Sequence, residues 1–319
     1  MEKKKKVDKH YLSRDISWMY FNRRILQEAM KERVPLLERL TFLGIYSNNL
    51  DEFFRVRVAT QSRVAECDDK AARAEQEEAR QLIKHINTLN SKYSKEYEAT
   101  IRQVEMELEK ENICLIKHTQ LDEEQQRFIA SFYQQRLNGL INPVWLNALK
   151  QLGNETDENI YLAVKMKKEG RKAGEYAIIE LPVGLVGRFV RLPDKEGKSY
   201  LMYLDDVIRY CLPFIFSGMN YTHFEAYAFK FTKDAEMEID NDLRNGMLQK
   251  ISKAVKSRKK GEPLRVIYDA GMPKDLLKRV MNKLNLDKQD TVLGGGKYHN
   301  HKDLMRFPDC GRKDLKYPA

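Results

Sequence analysis

Several places in the sequence carry side chains whose type and spacing suit chemistry. Gly294-Gly295-Gly296-Lys297 sets a cation behind three glycines. Backbone N–H groups beside an ammonium can form an anion nest, which makes Lys297 a candidate phosphate contact. The run lacks the four-residue gap and the Ser or Thr after Lys of a P-loop, and a flexible glycine turn is the plainer reading. His299-Asn300-His301 spaces two imidazoles by two residues. On a strand they would share a face and could hold a metal, but no third or fourth ligand stands nearby in sequence, so a surface pair is the simpler account. Arg55 and Arg57 could face a phosphate or close a charged helix. Lys256-Ser257-Arg258-Lys259-Lys260 would attract a polyanion, although cations at a helix C-terminus are explained by the dipole alone. Asp234 and Glu236 have the spacing of one strand face but no partner acid. With no GxSxG and no HExxH, no complete catalytic constellation is present.

The segment Phe42–Phe54 must position the remaining candidate. At about 100° per residue it reads as an amphipathic helix. Phe42, Leu43, Ile45, Tyr46, Leu50, Phe53 and Phe54 share one arc, and Gly44, Ser47, Asn48, Asp51 and Glu52 the other. Asn49 falls inside the apolar arc. A buried carboxamide needs hydrogen-bond partners, and for Asn49 these are either protein groups or a ligand.

Around these residues, segments 14–112 read as nearly all helix. Ser17 is a candidate cap for a first helix bearing Trp18, Phe21, Ile25 and Leu26, and Pro35 suits the start of the next. Residues 63–80 are rich in Ala, Glu, Arg and Lys and read as a solvated helix extension or a mobile connector. Ile86, Leu89, Tyr93, Tyr97, Ile101, Val104 and Leu108 then form a stripe at helical spacing. After Asn112 strands dominate, at 113–116, 160–166, 176–181, 188–192, 200–204 and 224–231, with helices at 122–137, 205–216, 240–259 and 273–284. Short turns between strands favour an antiparallel sheet. The fold class is therefore α+β: a helical bundle over residues 1–112, then a mixed domain over 113–319 with a mainly antiparallel sheet and flanking helices.

The 319 residues suit two domains. No apolar run approaches the length of a membrane span, and the lysine-rich start, Lys3–Lys6, argues against a signal peptide. Cys67, Cys114, Cys211 and Cys310 form no CxxC pair, which speaks for free thiols and against a disulfide frame or zinc site. A net charge of +10 is compatible with an anionic partner or with a merely basic surface.

Ile16-Ser17-Trp18, Phe21-Asn22, Leu26-Gln27-Glu28-Ala29, Pro35-Leu36-Leu37-Glu38-Arg39 and the whole Phe42–Phe54 run resemble bacterial polyphosphate kinase, the large family that phosphorylates itself on histidine. The resemblance continues through Tyr161-Leu162-Ala163-Val164, Ile208-Arg209-Tyr210-Cys211-Leu212, Thr232-Lys233-Asp234-Ala235-Glu236, Gly295–Asn300, Lys302-Asp303 and Phe307-Pro308, from about residue 12 to 312. It implies an enzyme that moves the γ-phosphate of ATP, with Mg2+, through a phosphohistidine onto polyphosphate, reversibly. The resemblance covers only the first two of four domains, N-terminal and head. The phosphohistidine and the magnesium ligands belong to the third and fourth, so no catalytic residue and no metal ligand is expected here, and this chain alone is expected to be inactive.

By the same resemblance Asn49, the second Asn of Ser47-Asn48-Asn49-Leu50, approaches the ATP base, while a structural role tying two helices stays open. Arg55, Arg57 and Lys297 are candidate polyphosphate contacts. The head domain implies a homodimer and a tunnel wall for polyphosphate. The expected partners are ATP, ADP and polyphosphate, with no membrane span and no specific nucleic acid, and the expected location is cytoplasmic, with peripheral membrane association left open. His301 replaces a usual aromatic residue and Lys297 a common arginine, which loses the bidentate fork. A rival from another class is a non-catalytic basic module that binds polyphosphate or RNA.

Overall fold

The structure, a computed structural model, describes residues 12–67, 70–149, 152, 159–171, 173–233, 263–284 and 291–318. The expected helix 240–259, the basic run 256–260, Asp234 and Glu236 lie outside the described residues.

Helix α1 (Arg14–Ala29) is capped by Ser13, whose Oγ accepts from the Asp15 N–H at 3.3 Å. Ser17, the expected cap, is already inside the helix, its N–H donating to Ser13 O at 2.9 Å. The cap lies one turn earlier because Ser13 can satisfy a first-turn donor that Ser17 no longer faces. Helix α2 (Leu36–Glu52) starts directly after Pro35 and runs without a break into a π-helical turn, Phe53–Val58, and then α3 (Ala59–Glu66). The π turn gives one residue more per turn than an α-helix. Adjacent residues are thereby buried in pairs, Phe53 with Phe54 and Val58 with Ala59.

Helix α4 (Arg73–Lys110) is longer than its apolar stripe. The 63–80 stretch is thus largely helical: α3 ends at Glu66 and α4 begins at Arg73. Ala65 and Ala79 are buried where α3 runs beside α4. Ile86, Tyr93, Tyr97, Val104 and Leu108 enter the core, whereas Leu89 and Ile101 lie half-buried against it. Each fully buried Leu or Ile contributes about 1.5–3 kcal/mol, so the packed stripe, not the charged face, holds α4 in place.

The rest is strand-rich. β1 (Ile113–Leu115), β6 (Ser199–Tyr203) and β5 (Phe189–Arg191) form a small sheet, β1 parallel and β5 antiparallel to β6. The larger sheet has the order β2 (Val144–Trp145), β4 (Glu175–Glu180), β3 (Tyr161–Lys168), β7 (Tyr221–Lys233), β8 (Pro263–Asp269), β9 (Thr291–Gly295). Its pairings are antiparallel except β8 with β9. The class is α+β, as expected, with an antiparallel-dominated sheet. Helix α5 (Glu123–Phe132) opens with an Asp122/Gln125 capping box and ends in a second π turn, Tyr133–Leu137. α6 (Val183–Val186), α7 (Leu204–Ile215) and α8 (Lys274–Leu284) complete the helices described.

Both faces of the large sheet are covered. Leu162, Val164 and Met166 pack with α5 and α7, while Tyr161 and Ala163 pack with α8. The helical core is completed from far along the chain by Leu201 and Leu304. Leu304 lies in a 3-10 turn, His301–Arg306, which packs on α2. There Gly44 is required: a Cβ would stand 2.6 Å from Met305 Cγ and 2.8 Å from the Met305 backbone N.

Candidate functional site

Helix α2 presents two working faces. On one, the Asn49 Nδ2 donates to Asn22 Oδ1 at 3.3 Å, and Asn22 Nδ2 donates to Tyr46 O at 3.2 Å. Asn22 is buried and Asn49 half-buried. Asn22 therefore braces Asn49 from α1, and the Asn49 Oδ1 has no protein partner among the described residues. Beneath them Trp18 stacks on Phe53, centroids 4.1 Å apart. Just beyond, Arg57 Nε donates to Asp15 Oδ1 at 2.9 Å, so Arg57 already has a carboxylate. Arg55 lies half-buried in the same π turn.

The opposite face, the arc of Gly44 and Asp51, is packed against the strand-rich part. Gly44 is buried, and Asp51 accepts from Lys230 Nζ at 2.6 Å and Arg265 Nη1 at 3.1 Å. The side chains of Lys230 and Arg265 are only 6% and 3% exposed. Burial alone would raise the Asp51 carboxyl, but Lys230 and Arg265 overcome it and hold it below the usual range. Arg265 also lies over the Phe54 ring at 4.4 Å, and Lys230 donates to Asn300 Oδ1 at 3.0 Å. The seam between helices and sheet is thus a buried ion cluster joined by residues 51, 230, 265 and 300.

The glycine run is not a flexible turn. Gly294 and Gly295 lie in β9, paired with Tyr268 and Asp269 of β8. A Cβ on Gly294 would lie in ordinary contact with the Tyr268 ring, 3.4 Å away. Lys297 donates to Asp206 Oδ1 at 2.7 Å. That carboxylate also accepts from Arg209 Nη1 at 3.0 Å and Tyr298 OH at 2.5 Å, and it faces His118 Nδ1 at 2.9 Å. Burial opposes the Asp206 charge, but His118, Arg209 and Lys297 together pull it well below the carboxylate range. Burial also lowers the Lys297 ammonium, with Asp206 working against it.

His299 and His301 do not share a strand face. Asn300 between them is left-handed, φ 59°, and His301 starts the 3-10 turn. His299 is buried, and its backbone O accepts from Arg188 Nη2 at 3.0 Å. The His301 ring packs on Tyr97 at 5.4 Å. Burial, then the charge of Arg188, pushes His301 down to about 3, and burial keeps His299 neutral too. Among the described residues no group of three or more His, Cys, Asp or Glu side chains could hold a metal. Nor is any helix there long and apolar enough to cross a membrane.

The residues missed from sequence are Asp51, Asp206, Lys230 and Arg265. Their signal was present: Phe229-Lys230-Phe231 and Leu264-Arg265-Val266 place a cation inside apolar strands, and a cation on a covered face calls for a buried carboxylate.

Two sequence families match the chain: "Polyphosphate kinase N-terminal domain" over residues 11–116 and "Polyphosphate kinase middle domain" over residues 124–307. Polyphosphate kinases of Vibrio parahaemolyticus and Escherichia coli are each 34% identical, over 314 and 313 residues, which is 97% of this chain and 44% and 45% of theirs. That of Yersinia pestis is 35% identical over 312 residues, 97% of this chain and 45% of its own. The crystal structure of the Porphyromonas gingivalis polyphosphate kinase superposes with a TM-score of 0.78 at 26% identity, covering 97% of this chain and 43% of that one. The chain spans less than half the length of these relatives.

Proposed function

The chain belongs to the polyphosphate kinase family, and on that premise we propose that it supplies the nucleotide-base contact and the dimer surface of a kinase that reversibly passes the ATP γ-phosphate through a phosphohistidine to polyphosphate. The division into a helical part to residue 112 and a head part from 113 is kept in this reading, with a homodimer through the head and a cytoplasmic location. Mg2+ and ATP are its cofactors. The described residues offer no donor set for the metal, so magnesium is given no step in this chain.

The observation that carries the reading is the posture of Asn49. Asn22 takes up one of its amide N–H groups, which leaves the Oδ1 and the second N–H without a protein partner among the described residues. A carboxamide so presented offers one acceptor and one donor, the complement of the adenine edge, which pairs a donor with an acceptor. The tie to Asn22 serves helix packing as well, and here it sets the orientation of the side chain.

In the whole enzyme, Asn49→Ala raises the apparent KM for ATP about 5- to 100-fold, the size of a lost bidentate contact; an unchanged KM would end the assignment. The companion experiment incubates this chain with γ-labelled ATP and Mg2+. The expected result is no acid-labile phosphoprotein and no labelled polyphosphate, with both appearing in a protein extended through the later domains of the family. Label on this chain alone would reveal an acceptor elsewhere in it and overturn the division of labour.

A further inference from the structure

A cavity of about 490 Å³ opens between α2 and α4 on one side and β8, β9 and residues 296–301 on the other. Tyr46, Ser47, Leu50 and Asp51 line it from α2. At helical spacing their mean direction lies about 130° from that of Asn49, so the cavity and the Asn49 carboxamide lie on different faces of the helix.

Among the described residues, three polar atoms of buried lining residues have no hydrogen-bond partner: Tyr46 OH, Arg265 Nε and His299 Nε2. These residues are 3%, 3% and 4% exposed. The Arg265 N–H can only donate, the tyrosine hydroxyl can donate, and the imidazole Nε2 can serve in either role. All three atoms are closed off from solvent, so the groups an occupant meets directly are the accessible side chains of the lining. At the rim stand the exposed cations Lys95, Arg102 and Lys117. Of the acids that line the cavity, Asp51 is taken up by Lys230 and Arg265. Burial raises the Glu105 carboxyl, with Lys117 and Arg102 opposing. Glu98 also lines the space.

The cavity exceeds what a bare oxyanion needs. Its volume falls in the range of small-molecule sites, about 300–1,000 Å³, and part of its wall is apolar, from Leu50, Ile101, Ile267 and Leu293. We infer that this cavity is a second ligand site, and that it takes a phosphate monoester with a compact organic body. Its phosphate meets the rim cations, and its body lies on the apolar wall. The occupant would bridge α4 to the segment after β9 and so hold the helical part on the sheet. This goes beyond the Asn49 reading and stands on different residues.

The test is calorimetric titration of this 319-residue chain with AMP, adenosine and inorganic phosphate. AMP binds at one site, and adenosine and inorganic phosphate each bind at least about tenfold more weakly, because each lacks half of the interaction. The double variant Arg102→Ala/Lys117→Ala weakens AMP about tenfold or more, by loss of charge-assisted contacts, and both side chains are exposed, so its melting temperature stays near that of the parent. Arg127→Ala, exposed on α5 and outside the cavity lining, keeps the AMP affinity. Absence of AMP binding overturns the proposal. So does binding that Asn49→Ala abolishes and the double variant preserves, which would place the nucleotide on the other face. Equal affinity for inorganic phosphate and AMP would overturn the organic body, and equal affinity for adenosine would overturn the phosphate.

Discussion

Replacing Asp51 with Asn removes the one carboxylate shared by Lys230 and Arg265. Asn keeps the size and the helix, so the change isolates charge. Asp51 itself is 18% exposed at the side chain, while its two partners are 6% and 3% exposed. Breaking a buried ion pair from one side costs about 3–5 kcal/mol, because the partner charge is stranded, and here two cations are stranded by one substitution. With a urea m-value of about 2–3 kcal/mol/M, the midpoint falls by about 1–2 M. Trp18, stacked on Phe53 immediately after α2, reports the transition by fluorescence.

The double variant Asp51→Leu/Lys230→Met should recover part of the loss, since the contacting groups couple. The pH dependence is a second reading of the same cluster. The Asp51 carboxyl sits below its unfolded value near 3.9. Its contribution is complete above about pH 4 and is lost as the pH falls through the folded value, so parent and variant converge only in strong acid. A loss under about 1 kcal/mol at neutral pH would refute the claim that this seam is sealed by charge.

Two further outcomes can be measured. Gly44→Ala places a methyl against the Met305 backbone, which cannot swing aside as its side chain can. Overpacking of this kind costs about 1–3 kcal/mol, against about 1 kcal/mol gained from helix propensity, so the melting temperature falls, and a rise would show that the turn at 301–306 yields freely. His301→Phe removes an imidazole held neutral down to about pH 3. The parent loses stability as the pH drops from about 6.5. The variant loses about 1–2 kcal/mol less between pH 7 and 5, and superimposable profiles would refute the assignment.

The helices and most strands were legible because their apolar periods are local. β3 and β7 lie within a few residues of where alternation places them, and the stripe from Ile86 to Leu108 marks the buried face of α4. What was not legible depends on partners far away in sequence. Asp51 and Gly44 look solvent-facing until Lys230, Arg265 and Met305 arrive from the other part of the chain. Strand β9 escaped notice because two of its five residues are glycine, which local propensity disfavours; its pairing with β8 is a tertiary fact. The candidate site divides the same way. The out-of-pattern place of Asn49 could be read from periodicity, while the Asp206 cluster that ties down Lys297 could not, since its members come from residues 118, 206, 209, 297 and 298.

The late arrival of Leu304 in a core built mostly from the first hundred or so residues, and of Met305 over Gly44, sets an order for folding during synthesis. Translation supplies about 5–20 residues per second, so roughly 10–40 s pass between completion of α4 and emergence of the turn that covers Gly44. Through that interval the nascent bundle carries an open notch on α2, while Asp51 waits for Lys230 and then Arg265 to emerge. The notch is narrow because glycine forms it, which leaves little apolar surface for a wrong partner, and the aspartate keeps the waiting surface charged. The features that seal the finished seam also guard it while the rest of the chain is being made.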